Sequence, residues 1–244
     1  MRPGKLVLQL IELVYPRRCP ICDGILEKKE IYVCGRCLPQ IKSIDGAVCF
    51  TCGKPLEKEG EEYCFDCRKK VHVFLRCRAP FLYRGKMKDS LMRFKYLGRA
   101  EYAAFYGKAM VEYGKRQSMF ENRDLLIPVP IHRERRIERG YNQAELLAKE
   151  ISVLTGIPVK EKILLRSKKT KALKSVSGVS RSRNLSEAFS VPEKQKKELA
   201  GKRVLLIDDI YTTGSTADAV SACLIRAGAV SVDVLCLAVS PGFA

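Results

Sequence analysis

The sequence lacks any apolar run that approaches the roughly 20 residues required for a transmembrane helix. Its opening stretch, Leu6 to Val14, is apolar but short, and it includes Gln9 and Glu12. No small-residue cleavage site of the kind that ends a signal peptide follows this stretch. We therefore interpret it as a short amphipathic helix, and we expect a cytoplasmic protein with no membrane span.

Acidic residues are few: 27 of the 244 residues are Asp or Glu, against 45 that are Lys or Arg, and the formal net charge is +18. Such a basic balance favours polyanionic partners, either nucleic acid or phosphorylated small molecules. A basic surface that serves only solubility is the alternative. Hydrophobic residues make up 46% of the chain, which is enough for a packed core and argues against wholesale disorder.

Cysteine, by contrast, is abundant, and eight of the eleven cysteines form four Cys-x-x-Cys pairs that begin 15 residues apart. Because the cytosol opposes disulfides, we interpret the pairs as metal knuckles, two of which complete a tetrahedral site with four cysteine ligands. We predict two closed, structural zinc sites, with iron as the minor alternative. Consecutive pairing is the simplest arrangement, although the spacing also fits an interleaved one. Consecutive pairing groups Cys19, Cys22, Cys34 and Cys37 at one zinc, and Cys49, Cys52, Cys64 and Cys67 at the other.

One segment has the order strand, acid pair, small-residue turn and helix. Val204 to Ile207 is an apolar run typical of a buried parallel strand, and Ala217 to Ala227 has helical composition. Asp208 and Asp209 follow the strand, and the turn from Thr212 to Thr216 precedes the helix. This order places the turn at a helix N-terminus, where backbone N–H groups and the helix dipole attract a phosphate.

The residue types of this segment suit a sugar phosphate. Gly214 lets the backbone approach a ligand closely, and hydroxyl groups donate hydrogen bonds to phosphate oxygens. Carboxylates do not bind phosphate themselves, but they suit ribose hydroxyls or Mg²⁺. A Ser/Thr turn that only caps the helix is the alternative, which the paired acids disfavour. The hydroxyl residues of the turn are Thr212, Thr213, Ser215 and Thr216.

An arginine-rich segment from His132 to Gln143 follows a second predicted strand, Leu125 to Ile127. A loop of this kind suits a pyrophosphate, because guanidinium groups bind phosphate oxygens bidentately. A solvated turn of mixed charge fits the composition equally well. His132 is a candidate general base by its position, and a structural hydrogen-bonding role is equally consistent with the sequence.

The segment from Val204 to Thr216 resembles the phosphoribosyl-pyrophosphate (PRPP) binding motif of type I phosphoribosyltransferases over its full length. Together with the Cys-x-x-Cys pairs and the Arg-Gly-Tyr-Asn-Gln segment that begins at Arg139, it resembles the ComF family of competence-associated, phosphoribosyltransferase-like proteins. The resemblance covers nearly the whole chain, with Leu173 as a departure where the family usually has Gln. The residues that match the family's central segment are Arg166, Thr170, Arg181, Asn184, Ala188 and Phe189.

The resemblance implies a PRPP site, with Mg²⁺ as the companion of PRPP. Asp208 and Asp209 would bind the ribose hydroxyls, the turn from Thr212 to Thr216 would hold the 5′-phosphate, and Arg139 would belong to the same site. It also implies a role in DNA uptake and natural transformation, with single-stranded DNA and competence-machinery proteins as partners. The enzymatic interpretation is a phosphoribosyltransferase that acts on an unknown acceptor, and the alternative is a nucleobase-salvage phosphoribosyltransferase.

Two basic stretches are candidates for contact with nucleic acid. The first, Lys162 to Arg183, contains eight basic residues and no acidic one. A flexible cationic loop suits the hood that closes over PRPP in type I phosphoribosyltransferases, and it suits single-stranded DNA equally well. No aromatic residue lies in this stretch, which excludes base stacking by it. The second, Arg76 to Arg99, mixes cations with aromatic residues, but its pattern favours core elements first.

We expect an α/β fold of the type I phosphoribosyltransferase kind, with a doubly wound, mainly parallel sheet and a small N-terminal cysteine-rich zinc module. Residues 1–70 would form the leader helix and the zinc-ribbon-like module, and residues 71–244 the phosphoribosyltransferase-like domain. The site then lies at the carboxyl ends of the strands. The further predicted elements are strands over 77–83, 159–165 and 231–239, and helices over 87–94, 101–113, 143–155 and 216–227.

Overall fold

Strands and helices alternate along the described part of the chain, which comprises residues 16–56, 58, 60–166 and 188–241 of a computed structural model. Among these residues no helix combines the length and the apolar character needed to cross a bilayer. The strands are β1 (Cys77–Arg78), β2 (Phe81–Leu82), β3 (Leu125–Pro128), β4 (Leu165–Arg166), β5 (Phe189–Ser190), β6 (Arg203–Tyr211) and β7 (Ser231–Val239). The helices are α1 (Phe65–Lys69), α2 (Gly85–Tyr96), α3 (Tyr102–Arg116), α4 (Arg133–Arg139), α5 (Gln143–Thr155), α6 (Glu193–Leu199) and α7 (Ser215–Arg226).

The central sheet is parallel throughout and has the strand order β1-β7-β6-β3, with β2 also paired to β7. Helices cover both of its faces, because β6 and β7 are apolar on both sides. Leu205 and Ile207 pack with α2, α3 and α5 on one face, and Val204 and Leu206 pack with α6 and α7 on the other. The predicted doubly wound, mainly parallel sheet is confirmed.

Three predicted elements differ from the structure for local reasons. The predicted strand over 77–83 is interrupted between β1 and β2, where Pro80 has no N–H group to donate to a sheet ladder. The arginine-rich loop contains the helix α4, which His132 caps at its start and Gly140 ends in the left-handed conformation. The predicted strand over 159–165 is reduced to one bridge, between Val159 and Leu126, and to β4.

The first ribbon, residues 17–41, packs against α2 and α3. Its Asp23 carboxylate accepts hydrogen bonds from the hydroxyl of Tyr102 at 2.5 Å and from the guanidinium of Arg99 at 2.9 Å. These bonds offset the burial of the carboxylate and lower the pKa of Asp23. The ribbon is therefore held to the helical layer by charged hydrogen bonds as well as by apolar contact.

The second ribbon, residues 47–69, packs against the edge of the central sheet. Arg78 of β1 donates to the carbonyl of Cys49 at 3.3 Å and is itself buried. Gly53 has φ = +71°, and a Cβ there would lie 2.6 Å from the carbonyl oxygen of Cys77. Only glycine allows this ribbon to approach β1 so closely.

Two predicted features lie outside the described residues. One is the amphipathic leader helix from Leu6 to Val14. The other is most of the basic stretch from Lys162 to Arg183, of which the described part ends at Arg166. Thr170, Leu173, Arg181 and Asn184 of the family's central segment fall in the same undescribed range.

We expect Gly107→Ala in α3 to destabilise the protein, although alanine is the better helix former by up to about 1 kcal/mol. A Cβ at Gly107 would overlap Cβ of Glu150 on α5, where the two helices pack together. Overpacking of this kind costs about 1–3 kcal/mol, which exceeds the gain in helix propensity. Denaturant unfolding of the zinc-loaded protein measures the difference.

The matched variant is Glu150→Gly, which removes the opposing Cβ. In a double-mutant cycle, the pair Gly107→Ala with Glu150→Gly should be more stable than the sum of the single changes predicts. Additive effects, or a stabilising Gly107→Ala, would show that the two helices do not touch at this point.

Candidate functional site

The eight paired cysteines form two clusters, and the sulfur atoms within each cluster all lie within 4.8 Å of one another. Cys22 and Cys34 Sγ are 3.8 Å apart, and Cys52 and Cys64 Sγ are 3.5 Å apart. A tetrahedral zinc with sulfur ligands at about 2.3 Å requires sulfur separations of roughly 3.8 Å. Both clusters therefore fit structural zinc. The grouping is consecutive, as predicted, and the interleaved alternative is wrong.

The acid pair lies inside β6 and not after it, so the predicted end of this strand at Ile207 is wrong. Asp208 is in register with Cys236 and Tyr211 with Val239, and pairing to β7 thus extends the strand. Successive strand residues point to opposite faces. Asp208 accordingly lies on the α7 face of the sheet, and Asp209 lies on the α2 face.

A cation accompanies the carboxylate on each face. Lys95 Nζ of α2 lies 2.9 Å from Asp209 Oδ2. On the other face, Asp208 interacts electrostatically with Arg166 of β4. Burial and the nearby Arg135 lower the pKa of Arg166, and Asp208 opposes that effect. Opposite charges thus meet at the end of β6, which suits a ligand that carries both hydroxyl and anionic groups.

Asp208 titrates near neutral pH in this environment. Burial, and after it repulsion by Asp209, raises the pKa of Asp208 to about 7. The backbone N–H of Asp209 donates to Asp208 Oδ1 at 2.8 Å, and together with Lys95 and Arg166 it acts in the opposite direction. The carboxyl group can therefore change its charge near neutral pH, and its ionised form can accept a hydrogen bond from a bound hydroxyl group.

The small-residue turn forms the N-terminus of α7. Gly214 is its N-cap, with φ = +76°, and its carbonyl accepts the first helical hydrogen bond from the N–H of Asp218 at 2.8 Å. A Cβ at Gly214 would lie 2.5 Å from the hydroxyl oxygen of Tyr211, so this position requires glycine. Thr213 Oγ1 and Ser215 Oγ are 2.9 Å apart. The helix N–H groups and these hydroxyls form an anion-binding geometry.

The predicted residues of the turn differ in exposure. Thr212 and Thr213 are exposed, whereas Ser215 and Thr216 are half-buried. The accessible hydroxyls therefore lie on the outer side of the turn and the partly covered ones at the start of the helix. Both groups remain open to a ligand from solvent.

Arg139 ends α4, and its described contacts are with Gln143 and Tyr96. Its guanidinium donates to Gln143 Oε1 at 3.0 Å and to the Tyr96 hydroxyl at 3.1 Å, and it lies 4.8 Å from the centre of the Tyr96 ring. Tyr96 adjoins Lys95 in α2, so Arg139 is held beside the helix that supplies the partner of Asp209. His132 accepts a hydrogen bond from the N–H of Glu134 at 3.4 Å, which is a helix-capping role.

The sequence pattern does not mark Lys95 and Arg166 as site residues. Lys95 lies in the basic and aromatic stretch that was assigned to the core, and Arg166 was only one match among several in the central segment. Both lie far from the acids along the chain and reach them only through the packing of α2 and β4. No local pattern marks such residues, and only the fold brings them to the acid pair.

We expect Asp208→Asn to stabilise the protein increasingly as pH rises from about 5.5 to about 8. The pKa of Asp208 in the folded protein is above its unfolded value, so this carboxyl lowers the free energy of unfolding as pH rises through that window. Asparagine removes the ionisation, and the difference from the wild type should grow by on the order of 1 kcal/mol. Zinc-loaded protein and denaturant unfolding at several pH values provide the measurement.

Asp209→Asn is the companion variant, because it removes the repulsion that raises the pKa of Asp208 and should therefore weaken the pH dependence of stability in this window. A stability difference between Asp208→Asn and the wild type that stays the same across the window would contradict a titration of Asp208 near pH 7.

The comparisons with known proteins agree with this arrangement. The family model described as a double zinc ribbon domain matches residues 10–68. The model described as a phosphoribosyl transferase domain matches residues 138–241, a range that includes Arg139, both acids and the turn. The zinc-ribbon match thus precedes the phosphoribosyl transferase match along the chain.

Three curated relatives span nearly the whole chain. Competence protein F of Haemophilus influenzae is 31% identical over 91% of this chain and 96% of its own length. Competence protein ComFC of Bacillus subtilis is 32% identical over 86% of this chain and 89% of its own. The DNA utilization protein YhgH of Shigella flexneri is 26% identical over 92% and 98%, respectively. The chain belongs to the ComF family of double-zinc-ribbon, phosphoribosyltransferase-domain proteins.

Proposed function

We propose that this protein binds PRPP together with Mg²⁺ at the end of β6. The observation that carries the proposal is the acid pair, each carboxylate with a cation on its own face, followed directly by a hydroxyl-rich turn at the N-terminus of α7. The ribose hydroxyls bind to Asp208 and Asp209, and the 5′-phosphate binds to the turn from Thr212 to Thr216.

The pyrophosphate of PRPP binds to the cations around the acid pair. Lys95 and Arg166 are the cations that interact with the acid pair, and Arg135 acts on Arg166. Arg139 joins them as a binding residue, because Gln143 and Tyr96 hold its guanidinium in one orientation beside α2. Guanidinium groups fixed in this way bind phosphate oxygens at a small cost in side-chain entropy.

The same site supports phosphoribosyl transfer. In this reaction the bond between C1′ and the pyrophosphate oxygen breaks, C1′ bonds to the nucleophile of the acceptor, and pyrophosphate leaves with the electron pair. Mg²⁺, when bound, would neutralise part of the pyrophosphate charge. The proton of the acceptor passes to pyrophosphate or to solvent. Fixed cations such as Lys95 and Arg166 stabilise the charge that develops on the leaving group. The acceptor is an unidentified nucleophile, and we assign no general base.

The protein also handles single-stranded DNA during DNA uptake in the cytoplasm, with competence-machinery proteins as partners. The net charge of +18 favours a polyanion. Relatives of similar length carry the names competence protein and DNA utilization protein. PRPP is the small-molecule ligand in this proposal, and DNA binds through its phosphates.

We expect calorimetric titration of PRPP into the zinc-loaded protein to show saturable binding that requires Mg²⁺. The double variant Asp208→Asn with Asp209→Asn should lose this binding while it still unfolds cooperatively, since the ribose hydroxyls lose their ionised acceptors. The expected loss is at least about tenfold, the effect of one charged hydrogen bond.

Asp124→Asn is the control, because this carboxylate lies at the opposite end of the sheet, where it accepts from the N–H of Arg203 at 2.8 Å. It should leave PRPP affinity unchanged. Equal PRPP affinity in the double variant and the wild type would refute the assignment of the acid pair.

We expect the affinity for a labelled oligothymidine to fall steeply with salt. Each neutralised phosphate contributes about −0.7 to the slope of log affinity against log salt for a single strand. Replacing Lys168, Lys169, Lys171 and Lys174 of the first basic stretch with alanine should therefore flatten the slope by roughly 3. Fluorescence anisotropy at several salt concentrations gives the slopes.

The matched control replaces four other lysines with alanine, namely Lys194, Lys196, Lys197 and Lys202 around α6. This variant has the same net charge and should keep the wild-type slope if the contact is local. Equal slopes in the two variants would show that the basic stretch makes no specific contribution.

A further inference from the structure

The segment that leaves the second ribbon lies against the turn at the start of α7. We call residues Lys70 to Phe74 the exit segment. Asp218, in the first turn of α7, binds three of its groups: Lys70 Nζ at 2.6 Å, His72 Nδ1 at 3.0 Å and the backbone N–H of Val73 at 3.0 Å. A single carboxylate therefore fixes the path of the exit segment on the candidate phosphate site.

His72 reaches Gly214, the residue at which the turn becomes helix. A Cβ at Gly214 would lie 2.8 Å from His72 Cε1 and 2.5 Å from the Tyr211 hydroxyl, so both side chains border the turn at this glycine. The His72 ring stacks on Phe74 with centroids 4.7 Å apart, and Phe74 meets Tyr211 edge-on at 6.1 Å. The aromatic contacts hold the imidazole in place, and 2% of its surface is exposed.

The hydrogen bond to Asp218 defines the roles of the two ring nitrogens. Nδ1 faces the carboxylate at 3.0 and 3.1 Å from its two oxygens, so Nδ1 carries a proton and donates it. Cε1 joins Nδ1 to Nε2 and lies on the side of Gly214. Nε2 is therefore the ring atom left to interact with a group bound at the turn.

The charges of the exit segment also favour the binding of an anion at the N-terminus of α7. A carboxylate in the first turn of α7 would by itself oppose a phosphate at the helix N-terminus. Burial raises the pKa of Asp218, but hydrogen bonds from His72 and Lys70 prevail and hold it below its usual value. Asp218 is thus ionised and paired with donors from the exit segment, and its charge is neutralised locally.

We propose that His72 is a ligand-binding residue for the 5′-phosphate, with the doubly protonated imidazolium donating from Nε2 to a phosphate oxygen and from Nδ1 to Asp218. This inference rests on the proposed function, because it names a further contact of the same sugar phosphate. The exit segment follows Cys67 closely, so the second ribbon and its zinc position one wall of the phosphate site. The zinc module is then part of ligand binding, although its zinc ions do not contact the ligand.

The test compares three probes on the zinc-loaded full chain with Mg²⁺: PRPP, ribose 5-phosphate and pyrophosphate. His72→Ala should weaken PRPP and ribose 5-phosphate at least about tenfold, the effect of one charged hydrogen bond. Pyrophosphate has no 5′-phosphate, so its affinity should not change. Val71→Ala is the control in the same segment, because the Val71 side chain is 96% exposed.

Two amide variants separate phosphate binding from the attachment to Asp218. The amide nitrogen of glutamine approximates the position of Nε2, and that of asparagine approximates Nδ1. His72→Gln should therefore retain more PRPP affinity than His72→Asn. The reverse order would show that His72 serves only to hold Asp218, and it would overturn the inference.

The outcomes distinguish this inference from the function on which it rests. A wild-type chain that binds neither PRPP nor ribose 5-phosphate would contradict both. A wild-type chain that binds them, with His72→Ala binding equally well, would contradict the role of His72 and leave the PRPP site intact. A parallel loss of affinity for all three probes would indicate general damage to the site, and it would also refute a specific phosphate contact.

Discussion

The parallel pairing of β6 with β7 is the constraint on which the candidate site depends. The pairing extends from Arg203 opposite Ser231 to Tyr211 opposite Val239, so β6 continues beyond its apolar core residues. The two acids are therefore held as neighbours in an extended strand, with their side chains on opposite faces. A shift of one residue in register would exchange the faces, and it would separate Asp209 from Lys95. The same pairing positions the turn that begins α7.

The second ribbon is attached to this sheet by burial as well as by chain connectivity. Cys49 and Cys52 lie in the same buried cluster as the α7 face of β6 and β7. Because zinc binding and folding are coupled in such small modules, metal affinity contributes to the stability of this edge of the sheet. Gly53 allows the ribbon to approach β1 closely, and Arg78 donates a hydrogen bond to it. Displacement of the ribbon would therefore expose the buried guanidinium of Arg78.

The sequence predicted those parts of the molecule whose signals are local. The cysteine spacing, the apolar strand β7 and the turn around Gly214 are each encoded within a few residues, and each was found where predicted. The predicted strand end at Ile207 was wrong. The end of β6 is set by its pairing with β7 and not by the hydrophobic pattern. The helix α4 was missed because its arginine-rich composition was interpreted as a loop, although His132 and Gly140 are capping residues. The cation partners of the acids depend on packing between distant segments, which a single sequence does not reveal.

The opposite charges at the end of β6 bear on which ligand the site selects. A turn with cations alone would accept many phosphates, since the attraction between charges carries little information about shape. The carboxylates repel a phosphate at their own position, and they favour hydroxyl groups there. Burial and repulsion between the acids also make ionisation of Asp208 costly, and hydroxyl donors from a ligand reduce that cost. The proposed site therefore suits a polyol flanked by anionic groups better than a simple polyanion.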